Sequence, residues 1–320
     1  MSFWDRRWAG LVAVALALAL YAPTLLFGRV ELDDMWLWAD DSPLRHLDGH
    51  VLHDVVLEMH VRHPFGSEYL PVRDLLVAAD MAVWGDSERG PHVTQWLLFG
   101  LVVWSLGTLL VRWRFPPRVA WLATVLWAAH PLGVQSVAWL SERKGLLAAV
   151  FVLACGHAWI RFRAGGTRWW LAASVLAAVC GVWSKAPAMF AAGVFAAWDL
   201  LLLDRGRRRW TQIAAVAAAT ALAAIPVLVV ATHVGVVAES EGGLEVGRAA
   251  AALGAQGHYV LGLVLARSPS LSYPIQTDGP GVLELAIGAL ALAGSIALVV
   301  RRRGDRQAMA ALAWAWIWFW

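Results

Sequence analysis

Charged side chains make up only 15% of this 320-residue chain, and a water-soluble body of that length needs far more to cover its surface. Lipid must cover it instead, in keeping with a hydrophobic share of 60% and a mean hydropathy of +0.60. Cysteine is nearly absent. The two present, Cys155 and Cys180, lie inside apolar runs and read as buried thiols, which leaves no disulfide framework and no cysteine metal centre. Also lacking is a basic patch outside helix ends. The net charge of +3 arises where short loops meet apolar runs, so no nucleic-acid partner is expected.

What is abundant is apolar sequence. Crossing a roughly 30 Å hydrocarbon layer takes about 20 apolar residues in a helix. Windows near that length run from Trp8 to Phe27, Pro91 to Val111, Gly145 to Ile160, Trp210 to Thr232 and Val282 to Val300. Shorter ones lie at Val119 to Ala129, Trp169 to Trp183 and Pro187 to Leu203. The expected fold class is an all-α integral membrane protein, a multi-span helical bundle in one transmembrane domain over 1–320. Basic residues cluster at Arg6 and Arg7, Arg112 to Arg118, Arg161 to Arg168, Arg205 to Arg209 and Arg301 to Arg306. These are alternate connections, so the positive-inside rule puts them and the N-terminus in the cytoplasm and leaves residues 28–90, 131–144 and 233–281 outside. The first window exceeds the 7–15 apolar residues of a signal peptide and reads as an uncleaved anchor. Ala249 to Ala266 is expected to lie in the membrane interface, because spanning would put the Arg301 cluster outside. The segment Gln307 to Trp320 reads as a final span truncated at 320.

Several polar groups stand out against this background. The long exterior loop 28–90 follows the first span directly and carries Asp33-Asp34 near its start. Adjacent carboxylates there fit either a solvated helix boundary or a general base for an acceptor hydroxyl, tuned by its neighbour. Ser141-Glu142-Arg143-Lys144 and Lys185 place cations on the side that topology disfavours. Such charge is expensive unless it snorkels, pairs internally or holds an anion such as a lipid-linked phosphate. The loop also holds His46, His50, His53, His60 and His63, three of them at spacings that share a helix face, which leaves a divalent cation open although no cofactor is demanded. The short runs ending at His130-Pro131 and Ser184-Lys185 stop too early to cross the hydrocarbon comfortably, and such interruptions survive where they line a cavity or pack against protein.

The stretch from Ala128 to Gly145, AAHPLGVQSVAWLSERKG, resembles the His-Pro-Val, Glu-Ala-Val-Ala-Trp, Ser-Glu-Arg-Lys-Asp pattern of the transmembrane, tetratricopeptide-repeat-containing O-mannosyltransferases and their bacterial relatives. Tyr69-Leu70-Pro71-Val72-Arg73-Asp74, Ser184-Lys185-Ala186-Pro187, Ala197-Trp198-Asp199 and Ser270 to Pro274 extend it in order. The resemblance implies the C-type glycosyltransferase superfold: a sugar, mannose in these relatives, passes from a polyprenyl-phosphate donor to a protein or glycan hydroxyl on the non-cytoplasmic side, with inversion. It would make Asp33 and Asp34 catalytic and give the carrier phosphate to Arg143, Lys144 and Lys185. Tyr69, Arg73, His130 and Glu142 would support the site, in a bacterial inner membrane. Gly145 stands where relatives commonly have Asp, and no repeats follow. A transporter or lipid-binding scaffold, or a sister transferase such as an aminoarabinose transferase or a metal-dependent oligosaccharyltransferase, are the competing expectations.

Overall fold

In the computed structural model the described residues are 7–30, 33–45, 48–57, 68–191, 210–233, 246–265, 281–302, 304–305 and 309. Among them there is no strand. The helices are α1 (Arg7–Tyr21), α2 (Asp33–Leu37), α3 (Gly49–Val56), α4 (Pro71–Trp84), α5 (Gly90–Arg112), α6 (Pro117–Ala128), α7 (Val134–Ala138), α8 (Arg143–Arg163), α9 (Arg168–Val182), α10 (Trp210–His233), α11 (Val246–Val264) and α12 (Val282–Arg302). Among the described residues five helical stretches are long and apolar enough to cross a membrane: Trp8–Leu26, Gly90–Arg112, Leu140–Arg163, Trp210–Thr232 and Val282–Arg302. They coincide with the five long windows of the sequence, and the chain is an all-α, multi-pass membrane protein.

The chain gathers into two compact units. In the first, α1 lies against α5 and α6 through small residues. Ala9, Ala13, Ala17 and Tyr21 are buried at a four-residue spacing, while Leu11, Leu16 and Leu20 face outward. One helix face is thus set aside for protein and the other for lipid. A methyl group on Gly10 would sit 2.6 Å from the Trp104 ring and 2.8 Å from that of Trp121, and one on Gly107 would run into Trp121 as well. The absence of a side chain lets the tryptophans pack against backbone. Behind this layer α8 and α9 form a hairpin, closed by a turn in which Gly165 takes φ +93°.

Among its described residues the segment 28–90 is largely helical. Three of its helices, α2 to α4, are drawn together by a core of Leu37, Trp38, Leu44, Val51, Val55, Val77, Ala78 and Met81. Helix α4 starts at Pro71, which fits the first helical turn because its missing N–H would find no partner there, and ends at Gly85 with φ +57°. Asp48 caps α3 by accepting hydrogen bonds from His50 N and Val51 N at 2.9 and 3.0 Å. Of the three histidines expected on one helix face, His50 and His53 lie on α3, and His46 falls outside the described residues with His60 and His63. Among the described residues no three His, Cys, Asp or Glu side chains gather to hold a metal.

Both interruptions are met by packing against protein. Gln95, fully buried in α5, donates to the carbonyls of Ser136 and Trp139, both at 2.8 Å, and holds the chain that follows His130-Pro131. At the end of α9, Trp183 Nε1 donates to Ala223 O at 3.1 Å, and the Trp183 carbonyl accepts from Val72 N at 3.2 Å. Tyr69, Val182, Ala223, Val227 and Val230 share a core there. Most of the short window Pro187 to Leu203, the Ala197 and Ser270 stretches, and most of 303–320 lie outside the described residues.

The second unit contains α11 and α12. They run antiparallel and approach closely, since a methyl group on Gly257 would collide with Glu284 O and one on Gly288 with Leu253 O. His258 Nδ1 lies 3.1 Å from Glu284 Oε1 along the same contact.

Candidate functional site

Several of the polar residues singled out in the sequence converge on one short segment of the first unit, the 3-10 turn Leu140–Glu142 and the first residues of α8. Successive side chains of this segment point into two different networks. Ser141 and Arg143 turn toward the core shared by α2, α3 and α4, whereas Glu142 and Lys144 turn toward the ends of α4 and α9.

The inner network is fully enclosed. Asp34, 0% exposed, accepts hydrogen bonds through Oδ1 from Ser141 N at 2.8 Å and Ser141 Oγ at 2.6 Å, and through Oδ2 from Val30 N at 3.0 Å. Three donors to one carboxylate compensate the cost of burying it. Arg143 is also 0% exposed. It pairs with Asp80 of α4, donates to Pro91 O at 3.0 Å and lies over the Trp38 ring, 5.0 Å from its centroid. Asp80 in turn accepts from Thr94 Oγ1 at 2.7 Å, and His92 donates Nε2–H to Gly28 O at 3.2 Å. The acid pair behind the first span and the head of α8 are thereby tied into one body. Asp33 opens α2, and its side chain lies outside the described set.

The outer network is a half-open ionic cluster. Lys185 Nζ lies 2.9 Å from Glu142 Oε2, and Lys144 Nζ lies 2.6 Å from Glu68 Oε2 and 3.7 Å from Glu142 Oε1. Arg73, in the first turn of α4, makes two contacts to Asp74 at 2.7 and 2.8 Å and reaches Glu68 at 3.7 Å. Burial pushes the Glu68 carboxyl up, but the charges of Lys144, Arg73 and Lys185 outweigh it and hold the group below the usual carboxylate range. Tyr69 donates its hydroxyl to Val56 O at 2.7 Å and stands edge-on to Trp183. Gly145 faces the cluster too: a methyl group there would lie 3.8 Å from Lys185 Nζ and 3.9 Å from Glu142 Oε2.

Of the expected site residues, the structure brings together Asp34, Tyr69, Arg73, Glu142, Arg143, Lys144 and Lys185. His130 belongs to the second unit, where it caps the turn Pro131–Gly133: Nδ1 accepts from Leu132 N at 3.3 Å and Nε2–H donates to Leu263 O at 2.8 Å. Sequence reasoning missed Glu68, Asp80, His92 and Gln95. A usable signal existed for the last two, because a polar side chain in the first turns of an apolar span is costly unless paired. Comparisons with protein-family models, with curated proteins and with solved structures find no match.

Proposed function

We propose that this protein is a membrane glycosyltransferase that moves a sugar, mannose by the resemblance of its 128–145 segment, from a polyprenyl-phosphate carrier to a protein or glycan hydroxyl outside the cytoplasm. The observation that carries the reading is the double hydrogen bond from Ser141 to Asp34, which ties the acid pair to the segment bearing Lys144. A general base and a cationic site for a phosphate leaving group are the two parts that an inverting transfer from a lipid phosphate needs. Asp33 is assigned the acceptor proton and Asp34 its orientation. The carrier phosphate is assigned to Lys144 and Lys185, whose side chains are 12% and 35% exposed. Arg143, committed to Asp80, holds the segment in place instead. The reading carries with it the C-type superfold, an N-terminus in the cytoplasm and a bacterial inner membrane.

The charged side chains of the described spanning helices lie toward their ends, Arg112 on α5 and Arg143, Lys144, Arg161 and Arg163 on α8 among them. A transporter path would call for such groups near the midplane. The test is transfer of mannose from polyprenyl-phospho-mannose in reconstituted membranes by Asp33→Asn, Lys144→Gln and Lys185→Gln variants. Loss of transfer with retained folding is expected. Full transfer by Asp33→Asn would remove the base assignment, and full transfer by both lysine variants would remove the phosphate site.

A further inference from the structure

We propose that Glu68 occupies, in the ligand-free protein, the place a phosphate group takes on Lys144, so that the anion enters by exchanging with this carboxylate. The inference rests on the reading of the outer cluster as a phosphate site and adds how that site is kept before the ligand arrives.

Four observations lead to it. One oxygen of Glu68 is shared between two cations, 2.6 Å from Lys144 Nζ and 3.7 Å from Arg73 Nη1, as a phosphate oxygen would be. Among the described residues the cluster is balanced in charge: Arg73, Lys144 and Lys185 face Glu68, Asp74 and Glu142. A phosphate added to a neutral, partly dry cluster gains little, whereas a phosphate that replaces a carboxylate keeps the attraction and adds at most about one negative charge. Glu68 is the accessible acid. Its side chain is 41% exposed, against 17% for Glu142 and 0% for Asp74. Finally, the remaining members have other partners to fall back on. Arg73 keeps its contacts to Asp74 and Lys185 keeps Glu142, so the cation uncovered when Glu68 leaves is Lys144, which retains the 3.7 Å contact to Glu142.

The chemistry recognised is a phosphate head, and two sources can offer it: free inorganic phosphate and a polyprenyl monophosphate in the bilayer. Binding of each to the full-length protein in lipid nanodiscs is measured by titration calorimetry for the wild type and for Glu68→Gln, Lys144→Gln and Lys185→Gln. Removing the competing carboxylate is expected to tighten polyprenyl phosphate by about 10-fold, and Lys144→Gln to weaken it by at least as much. Tightening for both probes supports exchange at a site that reads the phosphate alone. Tightening for polyprenyl phosphate alone supports it with the lipid as the source. Wild-type or weaker binding by Glu68→Gln, alongside loss in Lys144→Gln, overturns the exchange and leaves the phosphate site standing. Wild-type binding by both lysine variants overturns the site itself, and the exchange with it. Thermal unfolding accompanies each titration, and Glu68→Ser is read in the same way should Glu68→Gln lose its fold.

Discussion

Two networks meet on five consecutive residues, and they differ in what their charges are free to do. On the inner side Asp34, Asp80 and Arg143 are at most a few per cent exposed and each is hydrogen-bonded to protein groups, while Arg143 Nε finds no partner among the described residues. On the outer side Glu68, Lys144, Glu142 and Lys185 share partners at distances from 2.6 to 3.7 Å and reach solvent. A buried ion cannot leave its partner without losing solvation of any kind, so the inner charges define a shape. Charges with water within reach exchange one partner for another at small cost, so the outer ones can take a ligand. The same segment therefore anchors with one set of side chains and offers another.

Removing one partner of the inner pair is the strongest way to break this contrast. Arg143→Ala or Asp80→Ala leaves an uncompensated buried charge and is expected to cost about 3–5 kcal/mol in unfolding measurements, while an Asp80→Leu, Arg143→Met double variant recovers much of it. A double-variant cost equal to the sum of the two single costs would show that the pair is not coupled. Ser141→Ala comes next. It deletes the hydroxyl donor to Asp34 and is expected to lower stability by about 1.5–3 kcal/mol, the range for a hydrogen bond to a charged group. In the outer network, Lys185→Gln should change stability by less than about 1 kcal/mol while transfer falls sharply. A large stability loss there would place Lys185 among the anchors.

The smallest effect sharpens the comparison through pH. The Glu68 carboxyl is held low in the folded protein, so its contribution to stability is present above the ordinary carboxylate pKa near ~4.3 and is lost as pH falls through the lower folded value. Because the side chain is 41% exposed, solvent screening keeps that contribution to a fraction of a kcal/mol. The pH dependence of unfolding below pH 5 should flatten slightly in Glu68→Gln. An unchanged profile would mean that Glu68 is not tied to the cations in solution.

Much of the candidate site was legible as residue types. The cations at 143, 144 and 185 stood out because topology disfavours them outside, and Asp33-Asp34 because the pair follows a span. Their partners were not legible. Arg143 and Asp80 are 63 positions apart, and nothing in the acidic stretch Asp74 to Glu88 distinguishes the buried Asp80 from Asp86, which lies 2.7 Å from Arg45 with its side chain 82% exposed. Glu68 adjoins the Tyr69-Leu70-Pro71 run but carries no hydrophobic pattern that would point it at Lys144.

By itself the sequence determined that the chain lives in a bilayer and which five of its described helices are long and apolar enough to cross it, because the length and hydropathy of a run are local properties that the hydrocarbon thickness reads directly. Tertiary structure alone decided which of the exposed-side charges are spent on the protein and which remain exchangeable. That choice depends on burial and on partners brought from 43 to 107 residues away, and both exist only once α4, α8 and the loop behind the first span have packed together.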